Sequence, residues 1–325
     1  MRVAVFALGG TISVSGRARG ERLTGAEITS AVPGLDTLGV TLDVRDVHAV
    51  PSGSLTFAHV LDVVRDAARA VAEGADGVVV TQGTDTLEET AFIADLVWAH
   101  DAPFVLTGAM RQPSMAGADG PANVLAAVRV AVSREARGLG ALVAFNDEVH
   151  AARWVRKSHS TSTATFVSPN AGPVGHVVEG RVRVLAPPPR RGILPDAFDA
   201  ERLDAVRVAL HTVTLDDDGA QLVGLDGTHQ GLVVAGFGVG HVPASLVPVL
   251  GALAERIPVV LTSRTGGGAV LRHTYHQPGS ETDLQERGLV NGGLLDPYKA
   301  RVLLRLLLTA GADRDKVASA FAEHG

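Results

Sequence analysis

Gly77-Val78-Val79-Val80-Thr81 is a short, largely apolar run without polar alternation. A strand of this kind is buried on both faces, as inside a parallel sheet covered by helices. Its flanks agree. Upstream, Phe57, Val60, Leu61, Val64, Ala68 and Val71 recur at helical spacing, which predicts a helix over 56–72. Downstream, the pattern predicts another over 86–99. The alternation extends both ways. Strands are expected at 2–8, 42–49, 104–107 and 141–145, with a helix at 123–133. Thr24-Gly25-Ala26-Glu27 has the form of a capping box and should start a short helix. Strands alternating with helices imply βαβ units and a parallel sheet covered on both faces.

The pattern breaks at 174–185, which reads as a hairpin turning at Glu179-Gly180. The proline-rich run Ala186-Pro187-Pro188-Pro189-Arg190-Arg191-Gly192 then marks a linker. Past it, strands are expected at 206–213, 231–235 and 259–262, and helices at 245–256, 297–309 and 314–322. No internal sequence repeat is evident. The expected fold class is α/β. A larger N-terminal domain, 1–186, holds a doubly wound, mostly parallel sheet. A linker follows at 187–205, then a smaller C-terminal α/β domain at 206–325.

With 46% hydrophobic and 20% charged residues, the 325-residue chain has the balance of a globular protein. The formal charge of −6 is spread along the chain with no basic stripe, which argues against a nucleic-acid partner. Cysteine is absent, so disulfides, thiolate catalysis and cysteine metal sites are excluded. The N-terminal apolar run is too brief for a signal peptide and leads straight into Gly9-Gly10. No stretch approaches the roughly 18 apolar residues of a membrane helix. A cytoplasmic location without membrane contact is expected.

Ligands of open parallel sheets bind outside the carboxyl ends of the strands. Three polar segments fall there: Gly9-Gly10-Thr11, Gly83-Thr84-Asp85 and Thr107-Gly108-Ala109-Met110-Arg111. Glycine before a hydroxyl permits a tight turn and close approach of a ligand to backbone N–H groups. Plain structural turns use the same residues. A threonine alcohol is a poor nucleophile until something takes its proton. The 12 histidines do not discriminate among candidate bases. Lysines do, because Lys157, Lys299 and Lys316 are the only three. Lys299 and Lys316 fall on C-terminal helices and read as surface charges. Lys157 follows the 141–145 strand and the polar Asn146-Asp147-Glu148, which should carry it to the end of the sheet where the threonines lie. Lysine among arginines suits a role that requires deprotonation, although a surface cation is the plain alternative. His273 and His276 with Glu281 and Asp283 lack the spacing that fixes a metal, and no metal is expected. Gly236-Phe237-Gly238-Val239-Gly240-His241 puts histidine where the third glycine of a dinucleotide fingerprint belongs. Arg264-Thr265-Gly266-Gly267-Gly268 lacks the Lys-Ser/Thr of a phosphate loop. No cofactor is expected.

Taken together, these segments resemble the bacterial-type L-asparaginases of the asparaginase/glutaminase family. Gly9-Gly10-Thr11-Ile12 and Gly83-Thr84-Asp85-Thr86-Leu87-Glu88-Glu89-Thr90 look like its two signatures. Gly108-Ala109-Met110-Arg111, Asp119-Gly120-Pro121-Ala122-Asn123 and Asn146-Asp147-Glu148 through Lys157 also match. So do Thr262-Ser263-Arg264 and Leu295-Asp296-Pro297-Tyr298-Lys299-Ala300-Arg301. The likeness spans nearly the whole chain, the linker least. It implies hydrolysis of L-asparagine in two steps. Thr11 would attack the side-chain amide, releasing ammonia and leaving an acyl-enzyme. Thr84, Asp85 and Lys157 would form the second catalytic group, with Lys157 tuning the Thr84 hydroxyl and a bound water. Asp85 would also hold the α-amino group, Ser52 the α-carboxylate, and the Ala109 carbonyl would lie near the leaving amide. Glu281 would reach the substrate amine from a neighbouring subunit. The family typically works as a homotetramer built from dimers with shared sites.

Three departures bear on this resemblance. The family usually has a tyrosine on the loop after the first signature. Here that loop reads Arg17-Ala18-Arg19-Gly20-Glu21-Arg22-Leu23-Thr24-Gly25. Tyr275 from a neighbouring subunit is the candidate substitute, unless the loop needs no tyrosine or uses Arg19 or Arg22 differently. Gly53 stands where the family often has glutamine, and His241 where it often has asparagine. Asparagine is expected to be preferred over glutamine. The alternatives are a glutaminase-asparaginase of broader specificity and a catalytically silent small-amide-binding protein on the same fold. The related subunit that feeds ammonia to a tRNA amidotransferase carries an extra N-terminal domain, and here the first signature starts almost at Met1.

Overall fold

The structure is a computed structural model and describes residues 1–14, 22–195 and 198–325. The chain divides into two compact units, Met1–Leu194 and Pro195–Gly325. In the first, the apolar runs form β1 (Arg2–Ala7), β2 (Thr41–Asp46), β3 (Gly77–Thr81), β4 (Phe104–Thr107) and β5 (Ala141–Phe145). They pair in parallel in the order β2-β1-β3-β4-β5. The connections carry α1 (Gly25–Ser30), α2 (Phe57–Ala72), α3 (Leu87–Val97) and α4 (Gly120–Val132). Thr24 caps α1 in the expected box with Glu27. On one face, Val3, Val5, Val79, Val105 and Leu142 share a core with Ile28 of α1 and Val124, Ala127 and Val128 of α4. The alternate residues Ala4, Phe6, Val78, Val80 and Leu106 are equally buried, and α2 and α3 also pack on the strands. Burying each valine on this sheet contributes about 1.5–3 kcal/mol, which is why the unbroken apolar run ends up at the centre.

The sheet is not parallel throughout. Asn146 and Asp147 both take positive φ, 53° and 60°. This conformation is tolerated best by glycine, asparagine and aspartate. The chain therefore doubles back from β5 into β6 (Glu148–Ala151), antiparallel to it. Next come β7 (Arg156–Lys157) and β8 (Phe166–Val167), a separate two-stranded ribbon. β9 (Gly175–Val178) and β10 (Arg181–Val184) form the hairpin at Glu179-Gly180 and extend the main sheet to eight strands among the described residues.

In the second unit, α5 (Ala200–Ala205) falls within the stretch read as linker, capped by the Asp199 side chain. β11 (Val208–Thr212), β12 (Gly231–Gly236), α6 (Val247–Ala254) and β13 (Val259–Ser263) follow. Then come α7 (Glu281–Glu286), β14 (Val290–Asn291), α8 (Pro297–Thr309) and α9 (Arg314–His324). The four strands pair in parallel in chain order. α6 and α7 cover one face through Leu250, Leu253 and Leu284, and α8 packs on β11, β12 and β13. Lys299, read from sequence as a surface charge, is buried in α8 and paired with Asp296 at 2.7 Å. Among the described residues no helix is long and apolar enough to cross a membrane.

The antiparallel edge contains a titratable group. His150 of β6 is buried, with Nδ1 3.0 Å from the Ser168 hydroxyl. Burial, and to a lesser degree the neighbouring His176, lowers its pKa from 6.5 to about 4. A Glu148 oxygen lies 3.2 Å from Nε2 but makes no hydrogen bond to it. The unfolded chain takes up this proton near pH 6.5, and the folded chain only near 4. Stability is therefore full above pH 6.5 and falls as the pH drops toward 4, by at most about 3 kcal/mol from this group. Urea unfolding at pH 7 and pH 5 should show a smaller acid loss in His150→Gln than in the wild type.

Candidate active site

Two threonine turns emerge side by side because their strands are neighbours. β1 and β3 pair with Ala7 opposite Thr81, and the Leu8 N–H donates to the Thr81 carbonyl at 2.9 Å. Beyond that point each chain turns. Gly9 and Gly10 take φ of 87° and 95°, and Thr11–Ser13 forms a 3-10 turn. Gly83 leads into a second, Thr84–Thr86. A Cβ on Gly10 would lie 2.2 Å from the Gly83 nitrogen. The two backbones thus touch, and only glycine at position 10 permits it. Ser52, in the 3-10 turn Ser52–Ser54 beyond β2, completes the wall. A Cβ on Gly83 would lie 2.7 Å from the Ser52 hydroxyl oxygen. The Thr86 hydroxyl donates to the Ser52 carbonyl at 3.0 Å.

Lys157 reaches the second turn. Its Nζ donates to Thr84 Oγ1 at 2.9 Å and to Asp85 Oδ1 at 2.7 Å. The route differs from the expected one. The chain does not run on from β5. It returns as β6 and comes back to the site through β7, where Lys157 pairs with Phe166. Thr84 is buried, while the Asp85 side chain is 76% exposed. Lys157 therefore ties a buried hydroxyl to a carboxylate open to a ligand. A hydroxyl that accepts from lysine still has its own proton to give, so Thr84 can act on a third group.

Ala109 is buried just past β4. A Cβ on its neighbour Gly108 would lie 3.4 Å from Thr84 Cγ2, so this loop borders the same turn. The loop is held from α4. The Asp119 carboxylate accepts from the Met110 and Arg111 N–H groups at 2.9–3.1 Å. Asn123 donates to the Gly108 carbonyl at 3.0 Å and accepts from the Asn146 N–H at 2.9 Å. The sequence alone assigns no role to the Asp119–Asn123 motif. Its signal is a polar pair, the Asp119 N-cap and Asn123, at the start of a helix whose only other polar side chain is Arg129. Gln82 was missed altogether. It is fully buried and its amide donates to the Gly83 carbonyl at 3.3 Å and to Thr90 at 3.2 Å.

Tyr275 and Glu281 belong to the second unit and form their own cluster with His241. Glu281 is fully buried. Its Oε1 accepts from the Thr274 and Tyr275 N–H groups at 2.9 and 2.8 Å, and its Oε2 lies 3.1 Å from His241 Nε2. Burial is the largest influence on this carboxyl and favours the neutral form. The Tyr275 and Thr274 amides, with His241, outweigh it and hold the pKa below the usual carboxylate range. The His241 ring meets the exposed Tyr275 ring edge-on, with centroids 4.9 Å apart. Among the described residues no group of three or more histidine, aspartate or glutamate side chains is arranged to hold a metal ion. Arg19 lies outside the described residues.

Known proteins share this arrangement of the chain. The family description "Asparaginase, N-terminal" matches residues 2–190, and "Glutaminase/Asparaginase C-terminal domain" matches 207–321. A probable L-asparaginase of Deinococcus radiodurans is 34% identical, over 99% of this chain and 97% of its own. A glutaminase-asparaginase of Pseudomonas fluorescens biotype A is 32% identical, over 99% of this chain and 90% of its own. The crystal structure of a probable cytoplasmic L-asparaginase from Campylobacter jejuni superposes with a TM-score of 0.86 at 32% identity, covering 99% of each chain. With both domain descriptions matched and relatives alike from end to end, the chain belongs to the bacterial-type L-asparaginase family.

Proposed function

We propose that the chain is an L-asparaginase, hydrolysing L-asparagine to L-aspartate and ammonia through an ester on Thr11. The observation that carries this reading is the Lys157–Thr84–Asp85 relay on a turn whose backbone touches the Thr11 turn. In the first step the Thr11 oxygen bonds to the side-chain amide carbon, the C–N bond breaks, and nitrogen leaves as ammonia with the proton that Thr11 gives up. In the second, water adds to the ester carbon and the C–O bond to Thr11 breaks, releasing aspartate. Thr84, with Lys157 behind it, orients that water, whose proton ends on the Thr11 oxygen as the ester C–O bond breaks. The open Asp85 carboxylate holds the α-ammonium, Ser52 the α-carboxylate, and the Ala109 carbonyl lies near the amide nitrogen.

A homotetramer of paired protomers would bring Glu281 of a neighbouring subunit toward the ammonium, although its side chain is fully buried in its own unit and faces outward only through its partner His241. Tyr275 of that subunit supplies the phenol that the Thr11 loop lacks, and the exposure of its ring supports this role. A cytoplasmic location is supported by the name of the Campylobacter relative. A domain division with its linker at 187–205 is supported by family matches that end at 190 and resume at 207.

A broader glutaminase-asparaginase is the second reading, favoured by one observation. A Cβ built on Gly53 meets nothing within 4 Å, so the chain beside Ser52 leaves room around the amino-acid head. Ammonia release from asparagine and glutamine at equal concentration separates the two. Asparagine is expected to be faster by about tenfold or more, the scale of one extra methylene in a shaped site. Hydroxylamine should divert the ester to aspartyl hydroxamate. Equal rates favour the broader enzyme. No ammonia from either amide leaves a silent binding protein, and ammonia without hydroxamate removes the ester.

A further inference from the structure

Behind the Thr11 turn lies a second cleft of about 300 Å³, between the carboxyl ends of β1 and β2 and the segment that enters α1. Gly9 and Ser13 line it, but Thr11, Ser52, Thr84, Asp85, Ala109 and Lys157 do not. Two side chains of its wall each carry an atom, Arg22 Nη1 and His48 Nε2, that is buried without a hydrogen-bond partner among the described residues. Arg22 is drawn in tightly, since a Cβ on Gly9 would lie 2.8 Å from its Nη1. The other polar groups of the wall are engaged. The Ser13 hydroxyl donates to the Gly10 carbonyl at 2.8 Å, and the Thr24 hydroxyl to the Glu27 carboxylate at 2.9 Å. Asp46 Oδ1 accepts the Gly25 N–H at 2.7 Å.

The cleft thus offers two donors that lack acceptors. A guanidinium is always charged and matches a planar carboxylate with parallel N–H groups. Burial and then the neighbouring His59 favour neutral His48, against the weaker opposing pull of Asp62. A neutral imidazole still donates when its proton sits on Nε2. Apolar wall remains at Ala7, Leu23 and Ile28, which suits a short aliphatic stem. Asp46, also on the wall, disfavours a ligand with more than one negative charge. We propose that this cleft binds a short-chain organic monocarboxylate, its carboxylate on Arg22 and His48 and its stem against Leu23 and Ile28.

The proposal does not rest on the reaction assigned to Thr11, and its readout is binding. Propionate is titrated calorimetrically into the full chain, at constant ionic strength, beside Arg22→Gln and His48→Gln. The wild type should bind it saturably at one site per chain. Arg22→Gln should weaken binding about tenfold or more, the worth of a charge-assisted bidentate pair, and His48→Gln several-fold. Inorganic phosphate should bind more weakly than propionate. Absence of saturable binding to the wild type overturns the proposal. So does unchanged affinity in the variants, with His48→Gln deciding alone if Arg22→Gln does not fold. Phosphate binding as tightly as propionate overturns the assignment to an organic monocarboxylate.

Discussion

Thr11→Ala should lower ammonia release from asparagine by about four orders of magnitude, the loss typical when a covalent nucleophile is removed, while the protein stays folded. The fold should survive because the turn is held by other groups. The Ser13 N–H donates to the Gly10 carbonyl at 3.1 Å and the Val14 N–H to the Thr11 carbonyl at 3.2 Å. The Ser13 hydroxyl adds a third bond to the Gly10 carbonyl at 2.8 Å. None of these uses the Thr11 side chain, so its removal should leave the melting temperature within a few degrees of the wild type, as for substitutions outside the packed core. Hydroxamate formation should vanish with the ammonia. Turnover within tenfold of the wild type would move the nucleophile elsewhere, with the Thr84 hydroxyl the first alternative.

The fold was legible where local physics decides it. Val78 to Val80 had to be buried on both faces, and Thr24 with Glu27 had to start a helix. Both follow from neighbours within a few residues. Of the antiparallel edge, the hairpin at 174–185 was legible but β6 was not, although its signal was present. Asn146-Asp147 between Ala141–Phe145 and Glu148–Ala151 is a two-residue turn made of the residues that best tolerate positive φ. Treated as a polar patch, it hid β6 and the mixed character of the sheet. β7, β8 and β14 are two residues long and carry no periodicity to find. α7 is a six-residue helix announced only by its Ser280 cap.

The site was legible as residue types and illegible as contacts. Lys157 drew notice because lysine is rare in this chain. Its meeting with Thr84 spans 73 residues of sequence and depends on strand pairings that no local pattern encodes. Asp119, Asn123 and Gln82 work through backbone groups of the loops they hold. Their value appears only once those loops have a shape. His241 was noted as a departure. Its pairing with a Glu281 carboxylate already anchored by two backbone amides needed the structure.

Lys157→Met should lower turnover by about three orders of magnitude, the middle of the range for loss of a general acid–base partner, with little change in stability. Stability depends little on the Lys157–Asp85 pair because its carboxylate is open to solvent. The Asp85 side chain is 76% exposed, and an ion pair of that kind is worth about 0–1 kcal/mol. Catalysis suffers because methionine can neither donate a hydrogen bond nor carry charge. Thr84 would keep its hydroxyl but lose the group 2.9 Å away that fixes its lone pair, and Asp85 would lose the cation 2.7 Å away that aims it. Lys157→Arg then separates two roles that methionine confounds. Arginine keeps the charge but cannot give up its proton at ordinary pH. If Lys157 serves only to aim Thr84 and Asp85, Arg should recover activity to within about tenfold of the wild type, because charge and reach are retained. If Lys157 must accept a proton from Thr84 for water to be activated, Arg should be as inactive as Met. The steps should also separate, because Lys157 is placed behind the water rather than beside Thr11. Met and Arg variants that still form hydroxamate from asparagine, yet release aspartate slowly, would assign the relay to the second step. Loss of both in equal measure would assign it to the first and make Thr84 part of the activation of Thr11.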